Sequence, residues 1–250
     1  MEITSLNNEI VKQTYRLQQK KYRQETGLFL LEGYKSVYEA VKFGIELERV
    51  FILAEKTDRY NFIKKEIIQT NSAILKKIST TDSAPDIVAV GVQPENNLDK
   101  LKTSKKVVLL ENISDAGNLG TIIRSAAAFN IDSIILYGNT VDLYNPKCVR
   151  SAVGNLWKTN IVCLDSLNQL KEYFGDYERI ATLPKTEDGI MLKDWLPDVK
   201  SLVMFGSEAD GLSDELIGFA NKNLTIEMNK DVESLNLSVS ASIVMYKMGL

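Results

Sequence analysis

Apolar positions along the chain form short continuous runs, typical of buried strands, between longer stretches with helical spacing. In the first 95 residues the spacing predicts strands at 28–31, 50–53, 73–75 and 87–92 and helices at 7–20, 33–43 and 60–68. We therefore expect a small α/β domain over residues 1–95.

The hydrophobic pattern stops at a polar stretch and then begins again. Residues 96–104 contain paired asparagines, lysines and a serine, which predicts a linker. Beyond it, strands are predicted at 107–110, 133–137, 160–163, 179–183, 201–205 and 224–227, and helices at 121–129, 146–155, 167–174, 214–221 and 237–247. Such alternation is typical of a largely parallel sheet with helices on both faces. The second predicted domain covers residues 105–250.

The composition fits a soluble globular protein, since 44% of the 250 residues are hydrophobic and 25% are charged. No apolar run is long enough for a membrane span, and the N-terminus does not resemble a signal peptide, so we expect a cytoplasmic protein. The chain has no histidine, which excludes Ser-His-Asp and Cys-His catalysis and histidine-based metal sites. The two cysteines lack metal-ligand spacing, and no metal is expected.

The charge is unevenly distributed. The net charge of −3 argues against nonspecific coating of nucleic acid, but residues 1–104 carry +2 and residues 105–250 carry −5. Residues 11–23 contain five basic residues, two tyrosines and no acidic residue. Such a patch is typical of an RNA contact and equally typical of a solvated helix face. The candidate RNA contacts in it are Arg16, Lys20, Lys21 and Arg23.

The most informative stretch, residues 111–126, predicts a strand end, a tight turn and a helix start. Gly117 and Gly120 would form the turn, with Asn118 between them. Arg124 would follow one turn into the helix, and turns at the carboxyl ends of strands are where open α/β sheets bind ligands. A plain connecting turn with a surface arginine explains the same residues. The glycines match neither G-x-G-x-x-G nor G-x-x-x-x-G-K-[ST].

Two later segments follow predicted strands in the same way. In residues 205–212, glycines flank Glu208, whose carboxylate would lie at the sheet edge or near the N-terminus of the next helix. In residues 234–241, Ser234 or Asn236 could cap the last helix, and a cap alone would explain both. The apolar positions of that helix, which predict a core or interface face, are Leu237, Ala241, Val244 and Met248.

In this order, the three segments resemble the motifs of the SpoU (TrmH-like) RNA 2′-O-ribose methyltransferases, a branch of the SPOUT superfamily. The matching residues are Asn118, Gly120 and Arg124 in the first motif, Gly206, Glu208 and Gly211 in the second, and Ile226, Met228 and residues 234–238 in the third. Residues 145–154 are similar to a family stretch between the first two motifs, and residues 29–33 to the opening of an attached substrate-binding domain. Ala116 and Leu237 stand where proline and valine are frequent.

The resemblance implies an α/β fold of the SPOUT type, with a trefoil-knotted parallel-sheet catalytic domain and a smaller N-terminal α/β substrate-binding domain. It also implies S-adenosylmethionine as cofactor and a homodimer with the last helix at the interface. The residues implied for the cofactor are Gly206, Ser207, Ile226, Met228 and Leu235. Those implied for catalysis are Arg124, Asn118, Glu208, Ser234 and Asn236, and Arg150 is a further expected RNA contact.

The reaction that the resemblance implies is methylation of a ribose 2′-hydroxyl in RNA. Arg124 would stabilise the developing alkoxide or clamp the adjacent phosphate, because a guanidinium is a poor base. The separate N-terminal domain favours ribosomal RNA over transfer RNA. The alternatives are a tRNA-specific 2′-O-methyltransferase and a non-catalytic RNA-binding protein with the same knotted fold. A nucleotide-dependent oxidoreductase or a conventional Rossmann methyltransferase would need a glycine-rich first loop, which is absent.

Overall fold

The structure, a computed structural model, describes residues 1–184 and 189–249. These residues form two compact units. The first contains Met1–Glu95 and Asp142–Trp157, and the second contains Asn96–Val141 and Lys158–Leu250. Residues 142–157, predicted to lie in the second domain, therefore belong to the first compact unit. Separate folding of 1–95 and 105–250 stays a prediction.

The helices are α1 (Glu9–Arg16), α2 (Lys20–Thr26), α3 (Tyr34–Lys42), α4 (Ser72–Ile78), α5 (Leu98–Leu101), α6 (Ala116–Ala128), α7 (Pro146–Ser151), α8 (Leu167–Phe174), α9 (Asp214–Phe219) and α10 (Leu237–Gly249), with a 3-10 helix at Ala54–Tyr60. The strands are β1 (Leu28–Glu32), β2 (Leu47–Leu53), β3 (Ile67–Thr70), β4 (Ile87–Val92), β5 (Lys106–Glu111), β6 (Ser133–Tyr137), β7 (Asn160–Leu164), β8 (Glu178–Thr182), β9 (Ile190–Met191), β10 (Ser201–Phe205) and β11 (Lys222–Thr225). None of the helices in the described part of the chain is long and apolar enough to cross a membrane.

The first unit is built on a four-stranded sheet in the order β1-β4-β2-β3. Strand β4 runs antiparallel to both of its neighbours, and β3 runs parallel to β2. Its core includes Val11, Leu30, Phe51 and Ile74, all at most 1% exposed. Residues 142–157 pack on the rest of this unit through aromatic contacts. The ring centre of Tyr144 lies 4.8 Å from that of Phe29.

Two predictions in the first unit are wrong. Residues 60–68, predicted as a helix, are the end of the 3-10 helix, a turn and the start of β3, because Ile67 and Ile68 pair with β2. Residues 73–75, predicted as a strand, lie in α4. Asn71 begins that helix by accepting a hydrogen bond from the backbone N–H of Ile74 at 3.0 Å, a strong helix-start signal.

The second unit contains a seven-stranded sheet in the order β7-β6-β5-β10-β8-β11-β9, and each pair of neighbours is parallel. This confirms the predicted α/β class and parallel sheet, while the knot stays a prediction. Strands β5 and β10 lie side by side with buried residues almost throughout. Because the strands are parallel, the loops that follow β5, β10 and β11 all leave the sheet at the same edge.

The first motif differs in detail from its prediction. Asp115 caps α6 by accepting a hydrogen bond from the backbone N–H of Asn118 at 2.8 Å, so the helix begins at Ala116. Gly117 and Gly120 are therefore helical and form no turn. Asn118 lies in the first turn of α6, and Arg124 is the ninth residue of the helix.

Candidate active site

A carboxylate joins the three motifs at the carboxyl edge of the parallel sheet. Glu208, in the loop after β10, accepts through Oε1 from the Nδ2 atoms of Asn118 at 3.0 Å and Asn236 at 2.9 Å. The backbone N–H of Leu237 donates to the same oxygen at 3.3 Å. We call Glu208, Asn118 and Asn236 the polar triad. The triad gathers one residue from each motif, although the first and third are 118 positions apart in sequence.

Asn236 has two structural roles at once. Its Oδ1 accepts from the backbone N–H of Ser238 at 3.0 Å, so it caps α10. Its Nδ2 donates to Glu208 and also to Oδ1 of Asn118 at 3.1 Å. The helix-cap and site interpretations of this residue are therefore compatible. Ser234 is exposed and has no hydrogen-bond partner in the described part of the chain, so the structure does not bring it into the triad.

The loop that carries Glu208 is closed by its own backbone. Ser207 and Gly211 exchange two backbone hydrogen bonds, at 3.1 and 3.0 Å. A Cβ on Gly206 would overlap the carbonyl carbon of Gly211, and Gly211 has a φ of +71° that favours glycine. Both glycines are thus required by the loop itself, which in turn fixes the position of the Glu208 carboxylate.

Sequence reasoning missed Glu111. This carboxylate is 4% exposed at the end of β5, and its Oε2 accepts from the backbone N–H of Ser213 at 2.8 Å. It thereby holds the end of the β10 loop beside β5. An acidic residue that ends an apolar run was the available signal, because a buried carboxylate needs such a partner.

The residues implied for the cofactor flank irregular backbone. Gly206 and Ser207 follow β10, and Ile226 and Met228 follow β11, while Leu235 precedes α10. All five are partly exposed. Apolar side chains beside backbone N–H and C=O groups outside regular structure suit a ligand that combines a flat base with polar hydroxyls. These apolar side chains and backbone groups therefore fit S-adenosylmethionine.

Arg124 does not belong to the polar triad. It follows Asn118 by six residues on α6, which places it about 9 Å further along the helix and about 120° around it. The side chain is exposed, and it has no hydrogen bond or ion pair within residues 1–184 and 189–249. Its guanidinium is therefore available to a ligand or to a second chain.

The apolar face predicted for dimerisation is a core face in this protomer. Leu237, Ala241, Val244 and Met248 are at most 8% exposed, because α10 packs on α6. Ser242 Oγ lies 2.7 Å from Ser125 Oγ across this contact. The exposed apolar residues lie on another face of the helix and are Val239, Ile243 and Tyr246, which are 45%, 37% and 55% exposed.

Two of the predicted RNA contacts are engaged inside the first unit. Arg23 is 1% exposed, and its guanidinium pairs with Oδ2 of Asp142 at 2.6 Å, which contradicts its predicted role. Arg150 pairs with the buried carboxylate of Glu32 at 3.1 Å and also contacts Thr80, so its charge is already compensated. The remaining candidates, Arg16, Lys20 and Lys21, are exposed.

The parallel sheet and the three motifs at its carboxyl edge define a methyltransferase of the SPOUT superfamily. The model of the SpoU rRNA methylase family matches residues 105–246, and the chain belongs to this family. The model of the MRM3-like substrate binding domain matches residues 8–89. The predicted family and enzyme class are thus confirmed.

Two bacterial relatives match over nearly their whole length. The chain is 29% identical to the 23S rRNA (guanosine(2553)-2′-O)-methyltransferase RlmP of Bacillus subtilis, covering 98% of both chains. It is 26% identical to the 23S rRNA (uridine(2479)-2′-O)-methyltransferase of Streptomyces viridochromogenes, covering 98% of this chain and 90% of the relative. The crystal structure of an AdoMet-bound rRNA methyltransferase from Sinorhizobium meliloti superposes with a TM-score of 0.87 at 26% identity, covering 99% and 96% of the two chains.

Proposed function

We propose that this protein methylates a ribose 2′-hydroxyl of 23S ribosomal RNA with S-adenosylmethionine as methyl donor. The observation that carries the proposal is the polar triad, which joins the three family motifs through one carboxylate oxygen. The similarity to 23S rRNA 2′-O-methyltransferases over 98% of the chain supports the substrate.

S-adenosylmethionine, when bound, supplies an electrophilic methyl group together with its own leaving group. Gly206, Ser207, Ile226, Met228 and Leu235 would hold it through backbone and half-buried apolar groups. Glu208 keeps the amides of Asn118 and Asn236 in fixed orientations, so this wall of the site needs no rearrangement when a substrate arrives.

The acceptor hydroxyl must lose a proton as the methyl group is transferred; the chain has no histidine to take this proton, so it passes to solvent water. Arg124 keeps its own proton at neutral pH, so we assign it to the developing alkoxide or to the neighbouring phosphate. An exposed guanidinium that has no ion pair among the described residues suits either task, because its fork of donors matches phosphate oxygens.

The protein would act as a homodimer. Val239, Ile243 and Tyr246 recur at helical spacing and stay exposed on α10, as expected for a face that a twofold partner covers. Thr121 and Arg124 are exposed on α6, the helix against which α10 packs. A dimer through these helices would place Arg124 near the partner, where it could complete the partner's site.

Arg16, Lys20 and Lys21 would contact the RNA backbone.

We also propose a cytoplasmic location, because the proposed substrate is found there. A tRNA substrate and a non-catalytic RNA-binding role remain the competing functions.

Transfer of labelled methyl groups to purified RNA tests the proposal. The full chain should methylate ribosomal RNA from cells that lack its gene, leave transfer RNA unlabelled, and yield a 2′-O-methylated nucleoside on digestion. Label in transfer RNA alone would assign the tRNA function. Cofactor and RNA binding without any transfer would assign the non-catalytic role.

A further inference from the structure

An aromatic cluster lies at the surface of the first unit. The rings of Tyr34 and Tyr38, one helical turn apart on α3, are stacked with centres 5.7 Å apart and planes 10° apart. Phe62 meets both rings edge-on, at 5.7 and 5.2 Å. We call these three residues the aromatic surface. Tyr34 is 38% exposed and Tyr38 is 39% exposed, so both rings are partly accessible to solvent.

A buried tyrosine packs against the aromatic surface from the protein interior. Tyr60 is fully buried, and its ring centre lies 5.9 Å from that of Tyr34 and 6.2 Å from that of Phe62. Because Tyr34 and Tyr38 occupy positions i and i+4 of one helix, they share a face and support each other. A planar ligand would therefore meet rings that are already oriented.

Positive charge borders these rings. The guanidinium carbon of Arg59 lies 4.9 Å from the ring centre of Tyr34, and Arg59 also reaches Asp86 at 3.4 Å. Five exposed lysines of α3 and of the segment that follows β2 have no ion pair within the described ranges; they are Lys35, Lys42, Lys56, Lys64 and Lys65. Glu55, Asp58 and Glu66 lie in the same segment and Glu39 lies on α3, so the excess of positive charge is small and local.

Stacked rings with a cation beside them match the chemistry of unpaired RNA bases. Bases stack on aromatic faces whatever their sequence, and cations beside the rings neutralise the phosphates that accompany them. Paired RNA keeps its bases stacked inside the helix and offers these rings no base face. A protein partner would match the apolar rings but gives no reason for the arginine and the five lysines.

We infer that the aromatic surface binds unpaired bases of single-stranded RNA, with Arg59 and the neighbouring lysines on the phosphates. The inference rests on the proposed function, since it assigns part of the RNA substrate to the first unit. It predicts that the enzyme recognises a single-stranded segment of its RNA.

Fluorescence anisotropy with the full chain tests this inference. The probes are a single-stranded oligoadenylate and an RNA duplex of the same length. The double variant Tyr34→Leu/Tyr38→Leu should bind the single strand at least about tenfold more weakly. Its salt dependence should stay the same, because the rings carry no charge. Phe43→Leu is the matched control, since Phe43 is 43% exposed at the end of α3 and makes no ring contact in the described structure.

A conservative variant separates stacking from folding. Tyr34→Phe/Tyr38→Phe keeps both ring faces and should bind the single strand like the unaltered protein. A fluorescent purine analogue in the probe should be quenched by the unaltered protein and by the phenylalanine variant, but not by the leucine variant. Arg59→Gln should weaken binding. It should also reduce the magnitude of the slope of log affinity against log salt concentration by about one, as expected for one lost phosphate contact.

Unchanged single-strand affinity in the leucine variant would overturn the inference. If the leucine variant also altered the molar mass in light scattering, this face would be a contact between copies of the chain. Methyl transfer by the unaltered protein is measured separately. An unchanged KM for ribosomal RNA in the leucine variant would reject the inference alone, whereas no transfer by the unaltered protein would reject the proposed function.

Discussion

The side-chain amide of Asn236 donates to Oε1 of Glu208 over 2.9 Å, while the Oδ1 of the same residue caps α10. One side chain therefore fixes the start of the last helix and joins it to the loop after β10. Asn118 receives a hydrogen bond from the same amide, so all three motifs respond to a change at any member of the polar triad.

Glu208→Gln should lower kcat/KM for methyl transfer by about a hundredfold, as for the loss of a preorganised charged contact. The amide keeps an oxygen but removes the negative charge that accepts from Asn118, Asn236 and Leu237. Stability should change by less than about 1 kcal/mol, because the cluster is exposed. Glu172→Gln on α8 is the control for loss of an exposed carboxylate. A normal rate in the folded Glu208 variant would exclude a catalytic role for the triad.

Arg124→Ala should lower the single-turnover rate by about a hundredfold to a thousandfold and leave cofactor affinity unchanged. The protein should stay folded, since Arg124 is exposed without a partner in the described residues. Arg124→Lys should recover part of the rate, because it keeps the charge and loses the planar fork. A parallel loss of cofactor binding would make Arg124 a binding residue. If the site is shared across a dimer, mixing Arg124→Ala with Glu208→Gln protein should restore some activity.

Ile243→Asp should convert the proposed dimer to a monomer. The substitution puts a charge in the centre of the exposed apolar face of α10 and leaves the buried face intact. Light scattering at micromolar concentration measures the change. Leu196→Asp is the control, because Leu196 is 82% exposed elsewhere in the same unit. A monomeric unaltered protein would refute the homodimer.

Arg23→Met should lower the free energy of unfolding by about 3–5 kcal/mol, because it leaves the Asp142 carboxylate without its buried partner. Two backbone carbonyls, of Leu17 and Gln18, also lose the donor that reaches them at 2.8 and 2.9 Å. Urea denaturation gives the comparison. Lys20→Met, at an exposed neighbouring position, should stay within about 0.5 kcal/mol of the unaltered protein. Equal stability of the two variants would mean that the ion pair contributes nothing.

Burial, and to a smaller extent the nearby Asp142 carboxylate, raises the pKa of the Cys148 thiol to about 12. The unfolded chain loses this proton near its ordinary value of 9.0, so the thiol contributes stability that is present below that pH and lost between about 9 and 12. In the native protein a thiol reagent at about pH 8 should label exposed Cys163 and spare Cys148. Equal labelling of both thiols before unfolding would contradict the burial of Cys148.

The second unit followed its hydrophobic pattern closely. The predicted bounds of β6, β10 and α8 agree with the structure. The two strands were predictable because strands buried on both faces are continuous apolar runs bounded by polar residues. Shorter elements were less predictable. The three-residue apolar run at 73–75 fits a strand or a helix, and the Asn71 cap decided for the helix. Strand β3 depends on pairing with β2, which local sequence does not contain.

The sequence by itself determined the α/β class, the order of the main elements of the second unit, the family and the residues of the three motifs, because these depend on local periodicity and on residue identity. The tertiary structure decided which of those residues meet. Glu208 accepts a hydrogen bond from Asn118, which is 90 positions away in the sequence. Arg23 is buried against Asp142, which is 119 positions away. Only tertiary packing brings such distant groups within hydrogen-bonding distance, and only packing decides which face of α10 is buried.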